Sequence, residues 1–166
     1  MVDSPSTSSR SLVDTFGRHF DFLLERTEEL VRKIEQDDLF VRPRDLPRTF
    51  TMFSCGEYIL RSAAVVEQSF GGIMTRLWDD PFEWTLPEKL STNQLVLEYL
   101  DEVRRTARKG ICVVSSDDDL KRQVPSPERL RTLFEILLDT LSRADHFQGR
   151  AFAVFQMLSD QKLPKR

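Results

Sequence analysis

Histidine and cysteine are the scarcest reactive side chains in this chain, two of each in 166 residues. So few imidazoles leave little material for a histidine-built metal centre, and no Cys-x-x-Cys pair is present. There are only six glycines, and none form a phosphate-binding loop or a nucleophile elbow. Acid–base sites have no linear signature, so catalysis is neither excluded nor positively indicated. No apolar run approaches the ~20 residues a membrane span requires. The polar, Ser-rich start MVDSPSTSSR is followed by no apolar leader core. The expectation is a cytoplasmic protein with no membrane partner. Neither sign of charge dominates, and a net charge of −3 argues against nucleic acid, which needs a basic footprint to displace counterions. Arg104-Arg105 and Arg108-Lys109 cluster, but Asp101 and Glu102 precede them, the pattern of a solvated helix face. Cys55 and Cys112 lie far apart in apolar surroundings and are expected as buried thiols rather than a disulfide. Cys55, near a helix start, is a candidate for some activation.

What the chain does have is helical periodicity. Four segments repeat apolar residues every 3.6 positions: about Ser11 to Gln36, about Thr51 to Leu77, a third from Ser91-Thr92 through Val114, and about Pro127 to Leu158. Ser91-Thr92 is a good N-cap pair, and Ser126-Pro127-Glu128 reads as a helix start with proline at the first helical position. The β-branched run Ile111-Cys112-Val113-Val114 keeps the preceding helical period and is read as helix. No segment makes a credible strand, so the expected fold is all-α, a four-helix bundle. Its expected limits are a disordered tail over residues 1–10 and one domain over residues 11–160.

Two stretches echo one another. Asp37-Asp38-Leu39 follows the first helix and Asp118-Asp119-Leu120 follows the third, which fits two helical hairpins related by a pseudo-twofold axis. Acidic turns of a common type fit equally well. Between the halves lies Trp78-Asp79-Asp80-Pro81-Phe82-Glu83-Trp84, an aromatic connection in which Pro81 stops a helix. Its rings are expected to cover the bundle end or to form a partner surface.

Helix 1, then QDDLFVRP, then CGEYIL opening helix 2, then SSDDDLKRQV before helix 4, with HFQGR inside it, resembles the DinB-like (YfiT-like) family of bacterial four-helix bundles. The resemblance covers roughly residues 11–159. It implies a homodimer and, in metal-dependent members, a histidine triad: one from helix 2 and two from an H-x-x-H-H run in helix 4. Such a triad holds Zn²⁺ or Ni²⁺ with an open position, and some members are thiol-dependent transferases or isomerases. Carried over by residue, the helix 2 ligand falls at Arg61 and the helix 4 positions at Arg143, His146 and Phe147. Only His146 remains, and arginine repels a cation. The resemblance therefore implies a divergent member with no metal or other cofactor, the alternative being Zn or Ni in a rearranged ligand set.

His146 points roughly opposite the main apolar stripe of helix 4. An exposed residue, a pocket residue and a metal ligand are the three readings that remain. Arg61 and Arg143 stand where ligands would stand, and fixed guanidinium charge there suits an anion; both side chains reaching to solvent is the simpler alternative. Polar residues also break the apolar stripes: Glu67 on helix 2, Asp145 and Gln148 on helix 4, and His19 beside the stripe of helix 1. Buried carboxylates must pair, take a ligand or reach water. This cluster is expected at one height as a self-satisfied network, or as a mixed metal site of His19, Glu67 and Asp145. The ligand-binding candidates are thus Arg61, Glu67, Arg143, Asp145 and His146. The expected function is small-anion binding or interaction; the alternative is a metal-dependent, thiol-linked transferase or isomerase.

Overall fold

A computed structural model describes residues 9–43, 52–81 and 88–165. Four long helices carry the chain: α1 (Ser11–Lys33), α2 (Cys55–Thr75), α3 (Asn93–Cys112) and α4 (Leu133–Leu158). The fold is all-α, as the periodicity predicts, apart from a small hairpin of β1 (Gln123–Pro125) and β2 (Leu130–Thr132). In α1, Val13, Phe16, Phe20, Leu23, Leu24, Leu30 and Val31 are buried, a stripe that recurs every three or four residues.

Side-chain caps set the starts of α2, α3 and α4. Ser54 Oγ accepts from Glu57 N–H at 3.1 Å while Glu57 Oε2 accepts from Ser54 N–H at 2.8 Å, closing a capping box for α2. Thr132 and Glu135 repeat it at α4, and Thr92 caps Leu95 N–H at 3.2 Å in α3. The expected helix start at Ser126-Pro127-Glu128 is corrected by this geometry. Those residues form the hairpin turn, where Ser126 N–H donates to Arg129 O at 3.1 Å, and β1 and β2 pair antiparallel with Val124 opposite Arg131. The reciprocal bonds of Thr132 and Glu135 satisfy two orphan N–H groups, whereas proline at a first turn only avoids losing one. The expectation of no strand is corrected at the same place, because buried Val124 needs an extended chain to reach the core. The start of α2 also moves from Thr51, which lies outside the described residues, to Cys55. Of the run Ile111-Cys112-Val113-Val114, read as helix, Ile111 and Cys112 are helical, but α3 ends at Cys112 and Val113 and Val114 lie beyond it.

Of the expected tail over residues 1–10, residues 1–8 lie outside the described residues. Ser9 and Arg10 are tied down: Asp117 N–H donates to Ser9 O at 2.8 Å, and Arg10 donates to Val114 O and Ile111 O.

Hydrogen bonds fix the course of the chain. Asn93 Nδ2 donates to Ile34 O at 2.6 Å, bringing the start of α3 to the end of α1. Gln161 Nε2 reaches Lys33 O at 3.3 Å, so α1 and α4 end together. Ser62 Oγ donates to Ala144 O, and Cys55 Sγ to Ala151 O, so α2 and α4 run antiparallel. The order is up, down, down, up. α2 packs most closely on α4 and α1 on α3, while α1 and α2, consecutive in sequence, barely touch. This corrects the expected helical hairpins: each Asp-Asp-Leu segment carries the chain diagonally across a bundle end. Both segments form short 3₁₀ turns (Gln36–Asp38 and Asp118–Lys121), and Leu39 and Leu120 plug the core beside them.

The core is close-packed around aromatic rings. Phe20 and Phe70 meet edge to face at 5.1 Å. Gly110 allows it, since a Cβ there would stand 2.2 Å from Phe70 Cδ1. Trp78 lies against Gly72 and donates from Nε1 to Pro125 O at 3.0 Å, so it does cover one end of the bundle. Phe82, Glu83 and Trp84 of the same connection lie outside the described residues. No helix among the described residues is long and apolar enough to cross a membrane.

Candidate functional site in the groove between α1 and α4

The two parallel helices α1 and α4 pack less closely than the other neighbouring pairs. Between them lies a groove of about 410 Å³, bordered by His19, Phe22, Leu23 and Arg26 from α1 and by Leu138, Leu141, Ser142, Asp145 and Gln148 from α4. Helical spacing explains the set. On α1, positions 19, 22, 23 and 26 recur every three or four residues, and positions 138, 141, 142, 145 and 148 do so on α4. Phe22 is 39% exposed and Leu138 51%, so the groove presents apolar surface to solvent.

Its floor is a polar clamp. Gln148 is buried, and its Nε2 donates to Leu23 O and to Thr27 Oγ1, both at 2.6 Å. Thr27 donates in turn to Leu23 O at 2.8 Å. The network expected for Gln148 is therefore internally satisfied, though with Thr27 rather than with Glu67.

Above this floor stands Arg26. Its guanidinium carbon lies 5.5 Å from the Phe22 ring centroid and 4.8 Å from that of Phe152. Its Nε is buried without a hydrogen-bond partner among the described residues, and no ion pair involves its other nitrogens. A guanidinium stacked on aromatic faces keeps its charge while losing part of its hydration, so an incoming anion meets less competing water there. Asp145 and His19 line the same groove, both exposed, and neither makes a hydrogen bond or ion pair among the described residues.

The five sequence candidates do not converge. Asp145 borders this groove. Arg143 borders a second one of about 270 Å³, beside Trp78, Gln68, Arg131 and Asp139. Arg61 stacks over Phe53, its guanidinium carbon 4.4 Å from the ring centroid. Glu67 faces α3, where Tyr99 Oη donates to its carboxylate at 2.6 Å. Burial pushes the Glu67 carboxyl up, the Tyr99 hydrogen bond opposes this, and nearby Glu102 adds to the rise. His146 is exposed and touches Phe147 edge to face at 5.8 Å. This corrects the expectation of one polar cluster. His19 and Asp145 do share a groove, but Glu67 is turned to another side of the bundle, so the mixed site of His19, Glu67 and Asp145 does not assemble. Among the described residues, no three His, Cys, Asp or Glu side chains stand close enough to hold a metal ion.

Both cysteines are free thiols, as expected, but only one of them is buried. Cys55 is buried, its Sγ 3.3 Å from Ala151 O, and burial pushes its pKa up to about 12. The helix start does not activate it, because desolvation of the thiolate outweighs the helix terminus. Cys112, expected to be buried, is exposed; the last turn of α3 rotates it away from Ile111 and the core.

Arg26 was not legible as a site residue. It falls in register with Leu12 and His19 on α1, but its lack of an acceptor depends on how α4 is placed. No family model matches the chain, and no curated protein matches it.

Proposed function

We propose that this protein binds a small anionic ligand in the groove between α1 and α4, with Arg26 as the anion-holding residue. The observation that carries this reading is the Arg26 guanidinium, held over two aromatic rings at the groove with no acceptor among the described residues. Largely apolar pockets with a few convergent polar groups are the usual form of small-molecule sites. A bidentate carboxylate or phosphate is the natural complement of a guanidinium fork. In this proposal the chain is a divergent DinB-like bundle that uses no metal, and the four-helix arrangement supports that affiliation. The homodimer implied by the same resemblance is part of the proposal, to be checked by sedimentation velocity.

The experiment is a thermal-shift and calorimetric survey with acetate, hexanoate, phosphate and citrate. At least one should raise Tm in the wild type, by linkage to the folded state. Arg26→Gln should abolish the rise, while Arg61→Gln and Arg143→Gln leave it in place. An equal rise in Arg26→Gln, or no rise with any anion, would overturn the assignment. The competing metal-dependent enzyme predicts near one equivalent of Zn²⁺ or Ni²⁺ retained after incubation and desalting, and a fall in Tm with chelator.

A further inference from the structure

Every apolar side chain of the groove lies to one side of Arg26 along the helices. Gln148 ties α4 to Leu23 and Thr27, and Phe16 meets Phe134 edge to face at 5.7 Å, so the two parallel helices stay in register along their seam. The Arg26 guanidinium packs on Phe152. Leu138 and Leu141 precede Phe152 on α4, and Phe22 and Leu23 precede Arg26 on α1. From the guanidinium, the seam therefore offers hydrocarbon toward the first turns of both helices. The strip continues past the groove. Phe134 stands one turn before Leu138 and, with Leu12, borders a further hollow of about 320 Å³. Leu12, Phe22, Phe134 and Leu138 are all exposed.

We infer that the groove takes a straight-chain monocarboxylate, free in solution. Its carboxylate lies on Arg26, and its tail runs along the seam over Phe22, Leu141 and Leu138. This inference rests on the anion reading above and adds the tail and its direction. Apolar residues scattered singly over a surface need no explanation. A row of them leading away from a guanidinium that has no acceptor among the described residues is complementary to one charged head on one apolar chain. His19, Ser142 and Asp145 border the same groove but are exposed, so they keep their own water at its rim while the tail covers hydrocarbon.

Calorimetric titration of the full chain with acetate, hexanoate, octanoate and decanoate, each below its aggregation concentration, tests it. Affinity is expected to rise about two- to fourfold per added methylene, the increment for a methylene partly or fully removed from water. Octylamine, with the octanoate tail and the opposite charge, should bind about tenfold or more weaker than octanoate. Arg26→Gln should remove binding across the series. Leu138→Ser should flatten the rise, weakening octanoate and decanoate by about threefold or more. Leu77→Ser, at an exposed leucine past the end of α2, should leave the rise as in the wild type. Leu138 is itself exposed, so its Ser variant is expected to fold, and its circular dichroism spectrum checks this.

If acetate and decanoate bind equally in the wild type and both are lost in Arg26→Gln, the tail inference is overturned and the anion reading stands. A rise with chain length that persists unchanged in Leu138→Ser overturns it too, because the tail then lies elsewhere. So does octylamine binding as tightly as octanoate, because the head then does not sit on Arg26. If none of the carboxylates binds, the inference falls; if phosphate and citrate fail as well, the anion reading falls with it.

Discussion

The amide of Gln148 donates to Thr27 Oγ1 at 2.6 Å across the seam between α4 and α1. The same nitrogen reaches Leu23 O, so three groups share one buried knot. This knot fixes the height at which the two parallel helices face one another, and hence which residues border the groove. Gln148→Ala removes the clamp and leaves a cavity. It is expected to lower the unfolding free energy by about 2–4 kcal/mol, as large-to-small core changes do, and to weaken ligand binding as well. Urea unfolding measures the first effect; a loss under about 0.5 kcal/mol would mean that the knot contributes little beyond ordinary surface variation.

The start of α4 offers a sharp comparison. Thr132 accepts from Glu135 N–H at 3.1 Å, while Pro127 lies in the hairpin turn. Thr132→Ala should therefore destabilise by about 1 kcal/mol, the usual worth of an N-cap. Pro127→Ala should change stability by less than about half of that, since proline there begins no helix. Equal effects in chemical denaturation would contradict the assigned boundary.

Thiol chemistry reads out burial directly. Of the two cysteines, Cys112 is exposed and Cys55 is buried with its pKa raised to about 12. A disulfide reagent at pH 8 should titrate one thiol promptly in the native protein and the second only on unfolding. Cys112→Ser should remove the fast phase entirely.

The capping glutamates set an acid limit. At Glu57, burial alone would raise the carboxyl, but Arg42 and the N–H and hydroxyl of Ser54 together hold it below the usual range. At Glu135 the Thr132 N–H is the largest influence and also lowers it, outweighing modest desolvation. Both groups thus bind fewer protons in the folded state than in the unfolded one. Their contribution is present above the ordinary glutamate value, about 4.5, and is lost as pH falls through the depressed folded value. Glu67 has the opposite sign, with its pKa raised, so its ionisation weakens the fold as pH rises above 4.5. Glu57→Gln with Glu135→Gln should flatten the acid limb of a stability–pH profile. Glu67→Gln should stabilise at pH 7 relative to wild type, and the difference should vanish below pH 4.5.

Legibility in the sequence followed the range of the interaction. Thr92 was readable as a cap because a cap acts over three residues. Thr132-x-x-Glu135 carried the same local signal, a hydroxyl with Glu three positions on, and outweighed the proline at 127. Gln148 was legible as a polar interruption of an apolar stripe, and it proved buried. Glu67 broke a stripe too, but its partner Tyr99 comes from α3, and nothing in the local pattern names that helix. Arg26 left no mark, since an arginine on an amphipathic helix is ordinary until its neighbours are known.

The sequence by itself determined that the chain is an all-α bundle of four long helices. Apolar spacing and capping are local properties, and burying four stripes together is the economical way to remove them from water. Only the tertiary structure decided which helices are neighbours. The two Asp-Asp-Leu turns carry the chain diagonally across the ends, so the helices that each turn joins barely touch, and α1 comes to lie beside α4. The groove and the place of Arg26 in it follow from that placement, because they depend on the distance between two helices about a hundred residues apart in sequence.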